Sequence, residues 1–126
     1  MCIRDSYNSV LICIFAHVPP QTQISMINAQ LNLNWTVDDL MRSGERAWNL
    51  KRAINNRMGL TRENDKLPKA FLEPYKEGGA AGFVPDIQAM LAAYYEARGW
   101  DWASGKPTRE KLVELGFDEA AKDLWG

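Results

Sequence analysis

The chain has 126 residues, enough for one domain that buries a core, and its 46% hydrophobic and 25% charged content is ordinary for a water-soluble fold. Its 15 basic residues are balanced by 16 acidic ones, and the resulting net charge of −1 removes any electrostatic case for nucleic acid or an anionic membrane surface as partner. Two cysteines, Cys2 and Cys13, exclude a disulfide framework, so a reducing cytoplasm is the expected compartment.

The opening "MCIRDS" shows neither a helical nor a strand period. Residues 1–6 are therefore expected to be an artefactual leader, with the natural polypeptide, residues 7–126, continuing upstream. A secretion signal is the rival reading, since Arg4 precedes the seven-residue apolar run Val10 to Ala16. Asp5 cancels that charge, no small-x-small site follows Ala16, and Ile12 stands where a lipoprotein signal needs a small residue before Cys13. The run is also too short to span a bilayer, which takes about 20 apolar residues.

Ile24, Ile27 and Leu31 recur at helical spacing and predict a short amphipathic helix closing near Asn34. Thr36 then reads as an N-cap, with Asp39 three residues on and Asp38–Asp39 at the positive end of the helix dipole. The helix predicted from Val37 to about Met58 is the longest, and Gly59 ends it. Its apolar half carries Val37, Leu40, Met41, Gly44, Ala47, Trp48, Leu50, Ile54 and Met58, and its polar half Asp38, Arg42, Glu45, Arg46, Asn49 and Asn56. Lys51 and Asn55 fall inside the apolar arc. Either they meet polar partners on another segment, or Lys51 snorkels its ammonium out to water.

The segment from Leu60 to Phe83 holds Pro68, Pro74, Gly78, Gly79 and Gly82 and reads as a loop with one helical turn around Lys69 to Leu72. Loops of this length are usually functional or lie against something large. Pro85 suits a first helical turn, and Ile87, Met90, Leu91, Tyr94 and Tyr95 carry the helix to Gly99. A turn with Trp100 and Trp102 flanking Asp101 leads to Thr108, an N-cap for a short helix stopping at Gly116, and Asp118 is placed to cap a last one bearing Ala121, Leu124 and Trp125. Nothing reads as a strand, so the predicted class is all-α, an irregular multihelical domain with long loops.

The residues alone support little chemistry. Asp38, Asp39 and Glu45 fall on a solvent face, and His17, the only histidine, supports neither a triad nor a zinc site. There is no phosphate-binding glycine loop and no C-x-x-C, and the methionines and aromatics sit at core-packing spacing.

Five motifs in order add more: Gly44-Glu45-Arg46, Asn49-Leu50-Lys51-Arg52, Arg57-Met58-Gly59, Asp65-Lys66-Leu67-Pro68 and Arg98-Gly99-Trp100-Asp101. With these, the chain from about Asn8 to Gly126 resembles the carboxy-terminal end of the aldehyde ferredoxin oxidoreductase family, the tungsten-pterin enzymes. The resemblance implies a fragment of a larger enzyme that oxidises aldehydes to carboxylic acids at tungsten, or molybdenum, held by two pterins, and passes electrons through a [4Fe-4S] cluster to ferredoxin. It implies three cluster cysteines in a C-x-x-C-x-x-x-C arrangement upstream and a fourth within an aspartate-x-x-glycine-leucine-cysteine segment, onto which Cys13 falls, in an apolar run suited to shielding an iron-bound thiolate. Cys2 matches nothing.

The same segment departs from the family pattern, with Asn8 at the aspartate that hydrogen-bonds the pterin and Leu11 at the glycine. Asparagine keeps an acceptor and gains donors but loses the charge, so pterin contact by Asn8 is expected in altered form, and the loss of glycine puts a close backbone approach in doubt. Catalytic acid or base residues are expected upstream and none in this chain; His17 takes no such role. Two alternatives stay open: a divergent branch acting on another substrate such as an aromatic acyl-CoA ester, and a helical interaction module without catalysis. A homodimer is likewise open.

Overall fold

A computed structural model describes residues 2–126, with side chains for all of these except Cys2, Ile3 and Ile14. Met1, the first residue of the expected leader, lies outside the described residues. Six α-helices follow one another: α1 (Cys2–Ser9), α2 (Pro20–Leu31), α3 (Val37–Arg57), α4 (Ile87–Arg98), α5 (Arg109–Glu114) and α6 (Asp118–Trp125). Single 3-10 turns lie at Ile14–Ala16, Arg62–Asn64 and Lys69–Phe71. Among the described residues there is no strand, only isolated bridges between Tyr75 and Ala81 and between Trp100 and Pro107, so the class is all-α. No described helix is long and apolar enough to cross a membrane. The chain packs as two units, Met1–Arg52 and Ala53–Gly126.

In the first unit α1 runs straight through the expected 6/7 boundary, and Asp5, Ser6 and Tyr7 are buried. The buried side chains described in "MCIRDS", Asp5 and Ser6, are polar, so this helical stretch shows no apolar period. Ser6 is fully buried and its hydroxyl donates to the Met41 sulfur at 3.3 Å, while the Tyr7 hydroxyl donates to the Val18 carbonyl at 2.5 Å. Gln23 of α2 donates to the same carbonyl at 2.7 Å. α2 ends earlier than the sequence suggests, at a left-handed Asn32 with φ of 52°. Asn28 then clamps the connection, its amide exchanging two 2.9 Å bonds with the backbone of Trp35.

The predicted capping box forms, with Thr36 N donating to Asp39 at 2.8 Å and Asp39 N to the Thr36 hydroxyl at 3.3 Å. Hydrogen bonds from Thr36 hold the Asp39 carboxyl below the usual carboxylate range. Along α3 the predicted faces hold through Gly44, with Leu40 and Gly44 buried and Asp38 and Arg42 exposed, but not beyond it. Asn49, assigned to the polar half, is fully buried and donates to the Glu45 carbonyl at 3.0 Å, and Arg52 is buried too, whereas Leu50, Ile54 and Met58 are exposed. A buried amide is tolerated once its donor is engaged, so periodicity of apolar residues alone misplaces this half of the helix.

Gly59 stops α3 with φ of 93°, as read. In the second unit, α4 is capped by Asp86, whose carboxylate accepts from Ala89 N at 3.0 Å. Gly99 ends it in the left-handed region at φ 64°. Asp101 closes the following turn by accepting from Ser104 N at 2.8 Å and from its hydroxyl at 2.5 Å. Thr108 caps α5 as predicted, but Asp118 is the first residue of α6, and Phe117 takes the N-cap without a side-chain bond. Ala53, Leu112 and Ala121 form the core here, with Phe117 and Leu124 packed against it.

Candidate cofactor-binding site

The predicted site residues lie on either side of one helix terminus. As α1 ends, Leu11 N donates to the Asn8 carbonyl at 3.3 Å and Ile12 N to the Tyr7 carbonyl at 2.9 Å. These 5→2 and 6→1 bonds make a Schellman motif with Leu11 at the C′ position, and its φ is 59°. That position favours glycine, because a Cβ in the left-handed region meets the following carbonyl. The doubt raised by Leu11 therefore has a local physical content: the backbone adopts the glycine conformation with a leucine side chain that is 93% exposed.

The turn delivers Cys13 as an exposed free thiol, and its carbonyl accepts from Ala16 N at 3.0 Å to start the short 3-10 turn. Phe15 is 83% exposed, so Leu11, Cys13 and Phe15 are not core filling within this unit. Among the described residues no three or more His, Cys, Asp or Glu side chains come together, so they form no closed metal site. An exposed thiol on a hydrogen-bonded turn can serve as a single metal ligand but cannot close a site by itself. His17 is exposed with φ of 48° and joins no cluster.

Asn8 sits in the last turn of α1 and faces α3 across a cleft of about 120 Å³, lined also by Asp5, Ser9, Gly44, Ala47, Trp48 and Lys51. The seam is tight because of Gly44: a Cβ there would stand 2.5 Å from Ser6 N and 2.8 Å from Asp5 C. Lys51, flagged in the sequence as a cation on an apolar arc, is exposed, its Nζ 5.4 Å from the Trp48 ring centroid. The snorkelling alternative describes it. Asp5 is buried and engaged by other groups. The cleft brings Asn8 together with Lys51 and Trp48 but does not include Cys13. An amide, a cation and an indole ring can together hold a planar polar group by hydrogen bonds and ring contact. Trp48 and Lys51 were not singled out as binding residues; Lys51's misfit on its helix was the available signal.

Asp38 and Asp39 are exposed, in keeping with a surface role. In the second unit the Asp65 of the Asp-Lys-Leu-Pro motif accepts a hydrogen bond from the buried Tyr95 hydroxyl, and the Arg62 guanidinium stacks 3.8 Å from the Trp102 ring centroid. Both contacts fasten the long loop to α4 and its following turn. Arg98, of the Arg-Gly-Trp-Asp motif, is buried 5.4 Å from the Tyr94 ring centroid.

The family model for aldehyde ferredoxin oxidoreductase, domains 2 and 3, matches residues 3–117. The tungsten-containing aldehyde ferredoxin oxidoreductase of Pyrococcus horikoshii is 40% identical over 112 residues, covering 86% of this chain and 18% of that protein. Those of Pyrococcus furiosus and Thermococcus kodakarensis are each 43% identical over 96 residues, or 75% of this chain and 16% of theirs. The chain thus spans less than a fifth of the length of these relatives. With the family model matching most of its length, the chain belongs to the aldehyde ferredoxin oxidoreductase family.

Proposed function

We propose that residues 7–126 are the carboxy-terminal helical part of a cytoplasmic oxidoreductase that converts aldehydes to carboxylic acids and passes the electrons to ferredoxin. The observation that carries the proposal is the exposed Cys13 thiol, presented by a Schellman turn between exposed Leu11 and Phe15, in a chain of this family. When bound, tungsten or molybdenum held by two pterins would supply the two-electron oxidation and a [4Fe-4S] cluster the one-electron relay. Cys13 would serve that cluster as its fourth ligand, as a thiolate, since only the deprotonated sulfur binds iron strongly. Leu11 and Phe15 would keep water from the sulfur, which tunes the potential. Asn8 would contact the pterin as a neutral group, accepting through Oδ1 and donating through Nδ2.

No acid or base for the chemical step is assigned to this chain. The purified 126-residue chain is therefore expected to show no aldehyde-dependent viologen reduction, and turnover by it would refute the assignment. In the protein carrying its upstream sequence, Cys13→Ala should abolish the paramagnetic signal of the reduced cluster. An unchanged signal would remove Cys13 as a ligand. The coding DNA upstream of codon 8 tests the rest: an open frame encoding C-x-x-C-x-x-x-C supports the enzyme, and a genuine start signal before Met1 the free-standing module.

A further inference from the structure

Resting on the reading just given, we infer that Lys51 and Trp48 complete the subsite to which Asn8 belongs, binding one edge of the pterin through a cation and an aromatic face. Three observations lead there. Asn8 and Lys51 line the same cleft, one from α1 and one from α3. Among the described residues neither side chain makes a hydrogen bond or an ion pair, and the Lys51 Nζ lies 5.4 Å from the Trp48 ring centroid. The cleft holds about 120 Å³, comparable to the ~150 Å³ that admits a single benzene ring. It therefore takes one ring edge and not a whole cofactor.

The chemistry of the lining selects the ligand. An amide oxygen accepts from ring N–H groups, an ammonium donates to a ring carbonyl or an anionic oxygen, and the indole face covers a planar ring. A polar heteroaromatic with N–H donors beside an oxygen acceptor matches all three. Asp5 also lines the cleft, but its carboxylate is buried and already engaged, so the group free to answer a ligand's charge is Lys51. Asparagine at position 8 leaves that ammonium without an opposing carboxylate from α1's last turn, which favours an oxygen-bearing edge over a cationic one.

The test uses the full-length protein, isolated with its cofactors, and Lys51→Met and Lys51→Arg variants. Pterin retained after exhaustive dialysis is measured by the fluorescence released on acid oxidation, and cluster content by the paramagnetic signal of the reduced protein. Lys51→Met is expected to retain about tenfold less pterin, the loss of one charge-assisted hydrogen bond, with the cluster signal unchanged, and Lys51→Arg to retain most of it. Lys51 is exposed, so neither variant is expected to unfold. Pterin retention by Lys51→Met equal to that of the parent would overturn the subsite and leave the proposed function standing. A parent protein that carries neither pterin nor cluster would overturn both.

Discussion

Replacing Gly44 by alanine tests the packing on which the cleft depends, and the sign of the effect decides it. Considered only as a residue inside an exposed helix, glycine gives way to alanine with a gain of about 1 kcal/mol. Here the added Cβ would meet backbone, at 2.5 Å from Ser6 N and 2.8 Å from Ser6 Cα. Backbone cannot rotate away as a side chain can, so α1 would have to retreat by roughly 0.9 Å to bring the nearest atom to an ordinary contact of about 3.4 Å. Overpacking of this kind typically costs about 1–3 kcal/mol, which outweighs the propensity gain. Less the ~1 kcal/mol gain, the net loss reaches about 2 kcal/mol where the clash is with backbone, lowering the urea midpoint by up to about 1 M for a chain of this size. Equilibrium unfolding followed by circular dichroism reads it directly. A midpoint equal to or above that of the parent would show that α1 does not press on α3 at Gly44, and the cleft lined by Asn8 would lose its wall.

Leu11→Gly runs the other way: the left-handed C′ position strains leucine and the side chain is 93% exposed, so the change should stabilise by about 0.5–1 kcal/mol in urea unfolding, and destabilisation would mean that the leucine packs. Tyr95→Phe removes the hydroxyl that Asp65 accepts from and should cost about 1–3 kcal/mol in thermal unfolding, with an unchanged midpoint speaking against the clasp. The Ser104 hydroxyl and backbone hold the Asp101 carboxyl below its ordinary range, so its contribution is present above the unfolded value and is lost as pH falls below about 4. Asp101→Asn should therefore make acid unfolding less steep in that window; an identical acid limb would refute it.

The helices were legible where apolar period and punctuation agreed. Ile87 to Tyr95 with Gly99, and Val37 onward with Thr36, Asp39 and Gly59, formed as read. α1 was not legible, because two of its inward side chains, Asp5 and Ser6, are polar, and Ser6 finds its partner, Met41, 35 residues away. The same blindness misplaced Asn49 and Arg52, whose burial depends on engaged polar atoms and not on hydropathy. Cys13 and Asn8 could be named from the motif segment, but the reason its glycine position matters, a positive φ closing a Schellman turn, became visible only with the backbone. Lys51 was conspicuous in the sequence as a misfit and Asn8 through its motif, but that the two line one cleft became visible only in three dimensions.

The apolar residues left outside the core carry the remaining argument. In the first unit Leu11, Phe15, Met26 and Leu31 are between 62% and 93% exposed, and Ile12, Met26, Ile27 and Leu31 line an open groove of about 560 Å³ along α2. In the second unit Phe71, Tyr75 and Phe83 on the long loop are between 54% and 65% exposed. Single exposed apolar side chains are ordinary, but runs of them on a turn, a helix face and a loop mark surfaces made to be covered. The chain spans 16–18% of the length of the relatives it matches, and these exposed apolar positions lie on a turn, a helix face and a loop of an all-α fold. The same consideration bears on Cys13, since a cluster thiolate needs both further ligands and a dry surround. Under the proposed function the chain would provide one sulfur and two flanking hydrophobes, and among the described residues no group of three or more His, Cys, Asp or Glu could hold a metal ion unaided.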